Sequence, residues 1–226
     1  MMSRKLERGF TLIELMVALV IASLAMVGIY RGYVGMVVAN ETQEDVIALN
    51  QSMRIVLDRM VDDIRLAGYN PQQVQVATGD PTIRFNNTSA TGFSFRGDIR
   101  DLGRPVSIRT INYAIAPTGP GIFDLRRTES IPGALATTDT LIENLEVLDL
   151  VYLDDARNVL PPPVANPESI RSVQIALVVR VGDQDPTYSH DETYGNIQGI
   201  LFPGYPKNDR FHRRCLTMEV KCRNNS

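Results

Sequence analysis

From Phe10 to Tyr30 the chain is predominantly apolar for 21 residues, with Glu14 as its single charge. A helix of about 20 apolar residues spans the hydrocarbon core of a bilayer. From Asn40 to Gly68 the pattern becomes one-sided: Val46, Leu49, Met53, Val56, Met60, Ile64 and Ala67 recur at steps of three and four. That spacing predicts a continuing amphipathic helix. Arg54 with Asp58, and Arg59 with Asp63, stand four apart and read as ion pairs on its wetter side. Gly68 suits the position just past a helix end, and Pro71 stands where continuation is unwanted. Phe10 to Ala67 would extend roughly 87 Å at about 1.5 Å per residue.

Beyond Pro71 the pattern breaks into short alternating runs separated by Gly, Pro, Asn and Asp, which predicts strands and turns. The candidate strands are Thr82–Asn86, Phe93–Arg96, Val106–Ile115, Ile122–Arg126, Val147–Leu153, Val173–Val181 and Cys215–Lys221. Asp154–Ser169 and Gly182–Arg210 read as long loops, of the kind that often form contact surfaces. An antiparallel sheet laid on the helical stem would bury both apolar faces, so the expected fold class is α+β. A coiled coil is the competing use of a long amphipathic helix. Only about three heptads are present, however, and a large segment follows that needs a face to pack on.

Charge sharpens the N-terminal reading. Arg4, Lys5 and Arg8 precede the apolar run, which predicts a cytoplasmic N-terminal end. Tyr30, Arg31 and Tyr33 would lie at the far interface. A cleaved secretory signal would end at a small-x-small site, for which Ala22–Ser23–Leu24–Ala25 is a loose candidate. An ordinary single-pass anchor would need neither Gly9 nor Glu14. A carboxylate inside a membrane helix costs roughly 2.5–3.5 kcal/mol when central, so Glu14 points to function.

Arg8–Gly9–Phe10–Thr11–Leu12–Ile13–Glu14–Leu15 resembles the class III signal of type IV pilins and pseudopilins. The resemblance implies that a prepilin peptidase cuts between Gly9 and Phe10 and methylates Phe10. It also implies that Glu14 pairs with the N-terminal ammonium of a neighbouring subunit. The expected architecture is then the pilin fold: a 1–9 leader, a 10–31 transmembrane or filament-core helix, a 32–68 helical stem and a 69–226 periplasmic β-rich head. Major pilins often carry a helix-bending proline near the end of the membrane segment; here the chain reads Tyr30–Arg31–Gly32–Tyr33, with Gly28, Gly32 and Gly35 as local weak points.

Leu141–Leu148 followed by Leu150–Val151–Tyr152, Ile170–Val178 and the closing strand ending in Arg223–Asn224 resemble segments of PilW-type minor pilins. This implies an inner-membrane subunit that helps initiate, and caps, a type IV pilus. Its partners would be other minor pilins, the major pilin, the inner-membrane assembly platform and membrane lipid. A J-type pseudopilin of type II secretion shares the architecture and remains an alternative, as does a membrane-anchored periplasmic binding protein.

Candidate chemistry changes this picture little. The two histidines, His190 and His212, fall in no Gly-x-Ser-x-Gly, P-loop or His-Glu-x-x-His pattern, so neither enzyme activity nor a cofactor is expected. The run Asp183–Glu192, which contains His190, is rich in oxygen ligands. It lacks the EF-hand rhythm and reads as a solvated polar loop, with no metal expected. Cys215 and Cys222 are seven apart, which on one strand places them on opposite faces; a direct bridge would need an intervening turn, and free or differently paired thiols are the alternative. Tyr205–Ser226 carries Lys207, Arg210, Arg213, Arg214, Lys221 and Arg223 against Asp209 and Glu219. This reads as a charged strand edge before it reads as a nucleic-acid site.

Overall fold

The computed structural model describes residues 10–70, 85–98, 108–131, 133–186 and 188–223. The chain divides into two compact units, residues 1–45 and 46–226. One helix, α1 (Leu12–Leu66), contributes to both. In the first unit every side chain from Phe10 to Met36 is exposed, whatever its direction. The helix is unbroken through Gly28, Gly32 and Gly35. Ser23 and Thr42 donate their hydroxyls to the carbonyls of Val20 (2.8 Å) and Val38 (3.0 Å). These back-bonds satisfy the hydroxyls within the helix.

In the second unit α1 is one-sided. Met53, Val56, Met60, Ile64 and Ala67, all on the expected stripe, are buried together with Leu57 and Val61. Burying each of the larger side chains is worth about 1.5–3 kcal/mol relative to exposure. Gly68 ends the helix with φ 74°, in the left-handed region that glycine enters freely. Its N–H donates to Arg96 O (2.7 Å), and Asp98 N–H donates to Tyr69 O (2.7 Å), tying the helix exit to a strand.

That strand belongs to an antiparallel sheet of β1 (Phe85–Ser89), β2 (Gly92–Asp98), β3 (Ile108–Gly119), β4 (Ile122–Ser130), β5 (Thr137–Leu153), β6 (Val159–Leu160), β7 (Ser172–Gln184) and β8 (Phe211–Lys221). The order is β1-β2-β3-β4-β5-β7-β8, with β6 paired to β5. β5 pairs with β4 through Thr137–Leu145 and with β7 through Leu145–Leu153. Asn144, at φ 56°, marks the changeover. The sheet curls until the β1–β2 turn returns to β5: Leu150 N–H donates to Ala90 O (2.9 Å), and Tyr152 donates its hydroxyl to Ser89 O (2.9 Å). Its concave face, with Phe85, Phe93, Phe95, Tyr113 and Tyr152 in stacked and edge-on contact, packs on α1 as the α+β expectation requires.

The strand expectations coincide with observed strands where the residues are described; Pro71, Thr82–Arg84 and Val106–Ser107 lie outside them. The first half of β5 was not expected. Its opening residues Thr137–Thr140 are polar and exposed, so no alternation betrays them. The first expected loop contains β6 and a 3₁₀ turn at Pro167–Ser169, and the second begins later than expected, after Gln184. β7 is buried on both faces, because residues 188–210 cover the outer side of β5, β7 and β8.

Candidate functional site

The N-terminal segment is built around a helix start. Gly9, like Arg4, Lys5 and Arg8, lies outside the described residues. Phe10 is fully exposed and precedes the helix. Thr11 and Glu14 form a reciprocal capping box: Glu14 Oε2 accepts from Thr11 N–H (2.9 Å) and Thr11 Oγ1 (2.9 Å), while Glu14 N–H donates to Thr11 Oγ1 (3.3 Å). Sequence reasoning assigned Glu14 only to a neighbour's ammonium and missed this internal role. The signal was present, since Thr-x-x-Glu before an apolar run is the capping-box pattern. Four backbone N–H groups at a helix start otherwise lack partners, so the carboxylate closes a local deficit.

The apolar segment behind the cap is the one described helix long and apolar enough to cross a membrane. It carries no charge from Leu15 to Tyr30. Residues 4–30 match the prokaryotic N-terminal methylation motif. The match spans the class III signal and the apolar helix, and it supports a type IV pilin or pseudopilin, a structural class. It implies processing by a prepilin peptidase and assembly with other pilins. The long exposed apolar helix is in keeping with membrane anchoring. No curated protein matches the chain.

The head holds two buried charge clusters that the sequence placed at the surface. Asp63 was expected on the wet side of α1, but it is 2% exposed and faces the sheet. Its Oδ2 accepts from Arg127 Nε (2.7 Å) and Tyr113 Oη (2.6 Å), while Arg59 approaches only to 3.8 Å. The stripe rule places residue 63 beside Met60 and Ile64, so a core-facing acid was legible as a break in the pattern. Its partners, fifty and sixty-four positions away, were not. Burial and the Asp63 carboxylate push the Tyr113 hydroxyl far above its usual range. Burial would raise the Glu129 carboxyl, but its bonds to Arg127 and Arg109 outweigh that and hold it below the usual value. By contrast, Arg54 and Asp58 are exposed and line a groove of about 330 Å³ beside Leu216–Met218 of β8.

The second correction concerns residues 183–192 and the C-terminal cations. His190 is fully buried, not solvated. Arg213 is 3% exposed and is clamped between Glu146 (Nε–Oε2 2.8 Å, Nη2–Oε1 2.9 Å) and Asp209 (Nη1–Oδ1 2.5 Å, Nη2–Oδ2 2.6 Å). The basic patch is therefore smaller than its sequence suggests. Arg210, Arg214, Lys221 and Arg223 remain exposed, along or beside edge strand β8. No disulfide joins Cys215 to Cys222. As the odd spacing predicted, they lie on different faces: Cys222 in the main core, and Cys215 under the 188–210 loop. Among the described residues no His, Cys, Asp and Glu side chains gather as a metal site.

Proposed function

We propose that this chain is a minor pilin of the PilW type, a structural subunit that helps initiate and caps a type IV pilus. The observation that carries the reading is the methylation motif on a helix that is wholly exposed over its first half and lies beneath a β-sheet head over its last third. Such a chain has one face for lipid or a filament core and another already used in its own fold.

In this mechanism the precursor sits in the inner membrane with residues 1–9 cytoplasmic, residues 10–31 spanning, and the stem and head in the periplasm. Cleavage between Gly9 and Phe10 frees the Phe10 amine, which is then methylated. Glu14 guides register as the subunit leaves the membrane for the filament, because a carboxylate in hydrocarbon becomes tolerable when it meets a cation. Binding to other minor pilins, the major pilin and the assembly platform would use the exposed helix and the head's loops. No catalytic role is assigned to any residue.

Intact mass with N-terminal fragmentation, on protein purified from its native membrane, tests the processing step. A chain beginning at methylated Phe10 is expected. An intact Met1 from cells with active prepilin peptidase would overturn the proposal and favour a membrane-anchored periplasmic binding protein. Deletion of the gene should abolish surface pili; loss of protein secretion with pili intact would identify a J-type pseudopilin instead.

A further inference from the structure

Both histidines of the protein stand at the base of the 188–210 loop, on either side of Tyr188. Tyr188 stacks on His212 with ring centroids 3.7 Å apart and meets His190 edge-on at 6.4 Å. The loop lies on an apolar patch of the outer sheet face, where Tyr194 and Phe202 pack on Ala176 and Val178, with Val147, Tyr205 and Cys215 beside them. Its fastening is largely polar, and the fully buried His190 ring lies in the middle of it.

The proton on that ring can be placed from its neighbours. Tyr194 Oη donates to Glu192 Oε2 (2.9 Å) and so accepts from His190 Nε2, 3.1 Å away. His190 is therefore the neutral Nε2–H tautomer, and its Nδ1 is buried with no hydrogen-bond partner. A second proton could bind only there, adding a charge and an N–H donor where no acceptor stands. The charged groups around the ring come from every packed element: Glu146 on β5, Arg213 on β8, and Glu192 and Asp209 on the loop itself. Glu146 and Asp209 are already engaged by Arg213, and Glu192 by Tyr194.

We propose that residues 188–210 form a pH-released cover, docked on β5, β7 and β8 while His190 is neutral and lifted when Nδ1 takes up a proton. Burial, then the Arg213 charge, lowers the His190 pKa below its ordinary value, and the nearby carboxylates do not reverse this. The sign follows from linkage. A base whose docked pKa is depressed contributes docking stability above its free value of about 6.5, and that stability is lost as pH falls toward the docked value. Release would uncover the Ala176–Val178 patch and the Cys215 thiol. A head exposed to the pH outside the inner membrane rests on the proposed location; the release itself does not.

Full-length protein in detergent micelles provides the test. Hydrogen exchange across residues 188–210 and reaction of Cys215 with a dithiopyridine would be followed from about pH 7.5 to about pH 5, each corrected for the unfolded chain. Both should accelerate by up to about tenfold per pH unit below about 6.5. The amides of β3 and β4, and Cys222, should stay protected. His190→Gln should remove the pH dependence whatever its baseline. Unchanged loop protection down to about pH 5 would overturn the proposal. So would an equal response from Cys222 and β3, or an unaltered pH profile in folded His190→Gln. If that variant does not fold, the wild-type profile decides alone.

Discussion

Glu14 closes a capping box with Thr11 and, under the proposed function, also meets a neighbour's ammonium; two substitutions separate these roles. Gln can take the Glu position of a capping box, whereas Ala cannot. Glu14→Gln should keep membrane insertion and the helix start but lose the charge, and filament incorporation should fall as far as in Glu14→Ala. Immunoblots of sheared filaments against membranes would read this. Normal incorporation of Glu14→Gln beside defective Glu14→Ala would assign Glu14 to capping alone. At the same scale, Asp63 is a buried anion fixed by Arg127 and Tyr113. Asp63→Ala leaves a buried guanidinium without its main counter-charge, a change that typically costs about 3–5 kcal/mol. Thermal unfolding of the full chain in detergent should show a midpoint lower by roughly 10 °C. An unchanged midpoint would mean that the Asp63–Arg127 contact contributes nothing to the fold.

The elements meet where α1 leaves for the sheet. Gly97, in β2, allows the closest approach there: a Cβ at that position would lie 2.5 Å from the Leu66 carbonyl oxygen. Because the obstructing atom is backbone, no rotamer relieves the contact. Gly97→Ala should therefore destabilise the head by about 1–3 kcal/mol, the usual cost of overpacking. The bonds from Gly68 to Arg96 and from Asp98 to Tyr69 should loosen with it, visible as faster amide exchange at 68 and 98 than at 125. β8 illustrates a different element-level device. It is an edge strand whose exposed Arg214 and Lys221 disfavour strand-to-strand aggregation.

At the scale of the molecule, one helix serves two environments. Up to Met36 its side chains are exposed all round, and from Met53 it packs on the head. Removing residues 1–45 should therefore leave a folded head, since the packed stripe begins later and residues 46–226 form their own compact unit. Circular dichroism and a cooperative thermal transition of the 46–226 fragment in detergent-free buffer would check this. A molten or aggregated fragment would mean that the membrane segment also stabilises the head.

The sequence alone determined the features that depend on local periodicity: the apolar run, the one-sided stripe from Val46 to Ala67, the glycine stop at Gly68 and most strands. It also made Glu14 conspicuous, because a lone carboxylate in an apolar run stands out without any structure. Where periodicity was silent, as in polar Thr137–Thr140, half a strand was missed. Only the tertiary structure decided which charges are buried. Asp63, His190 and Arg213 look soluble by type, and their burial is tolerable only because Arg127, Tyr194, Glu146 and Asp209 arrive as partners. Side-chain burial is set by long-range pairing of surfaces, and no window of neighbouring residues contains that information.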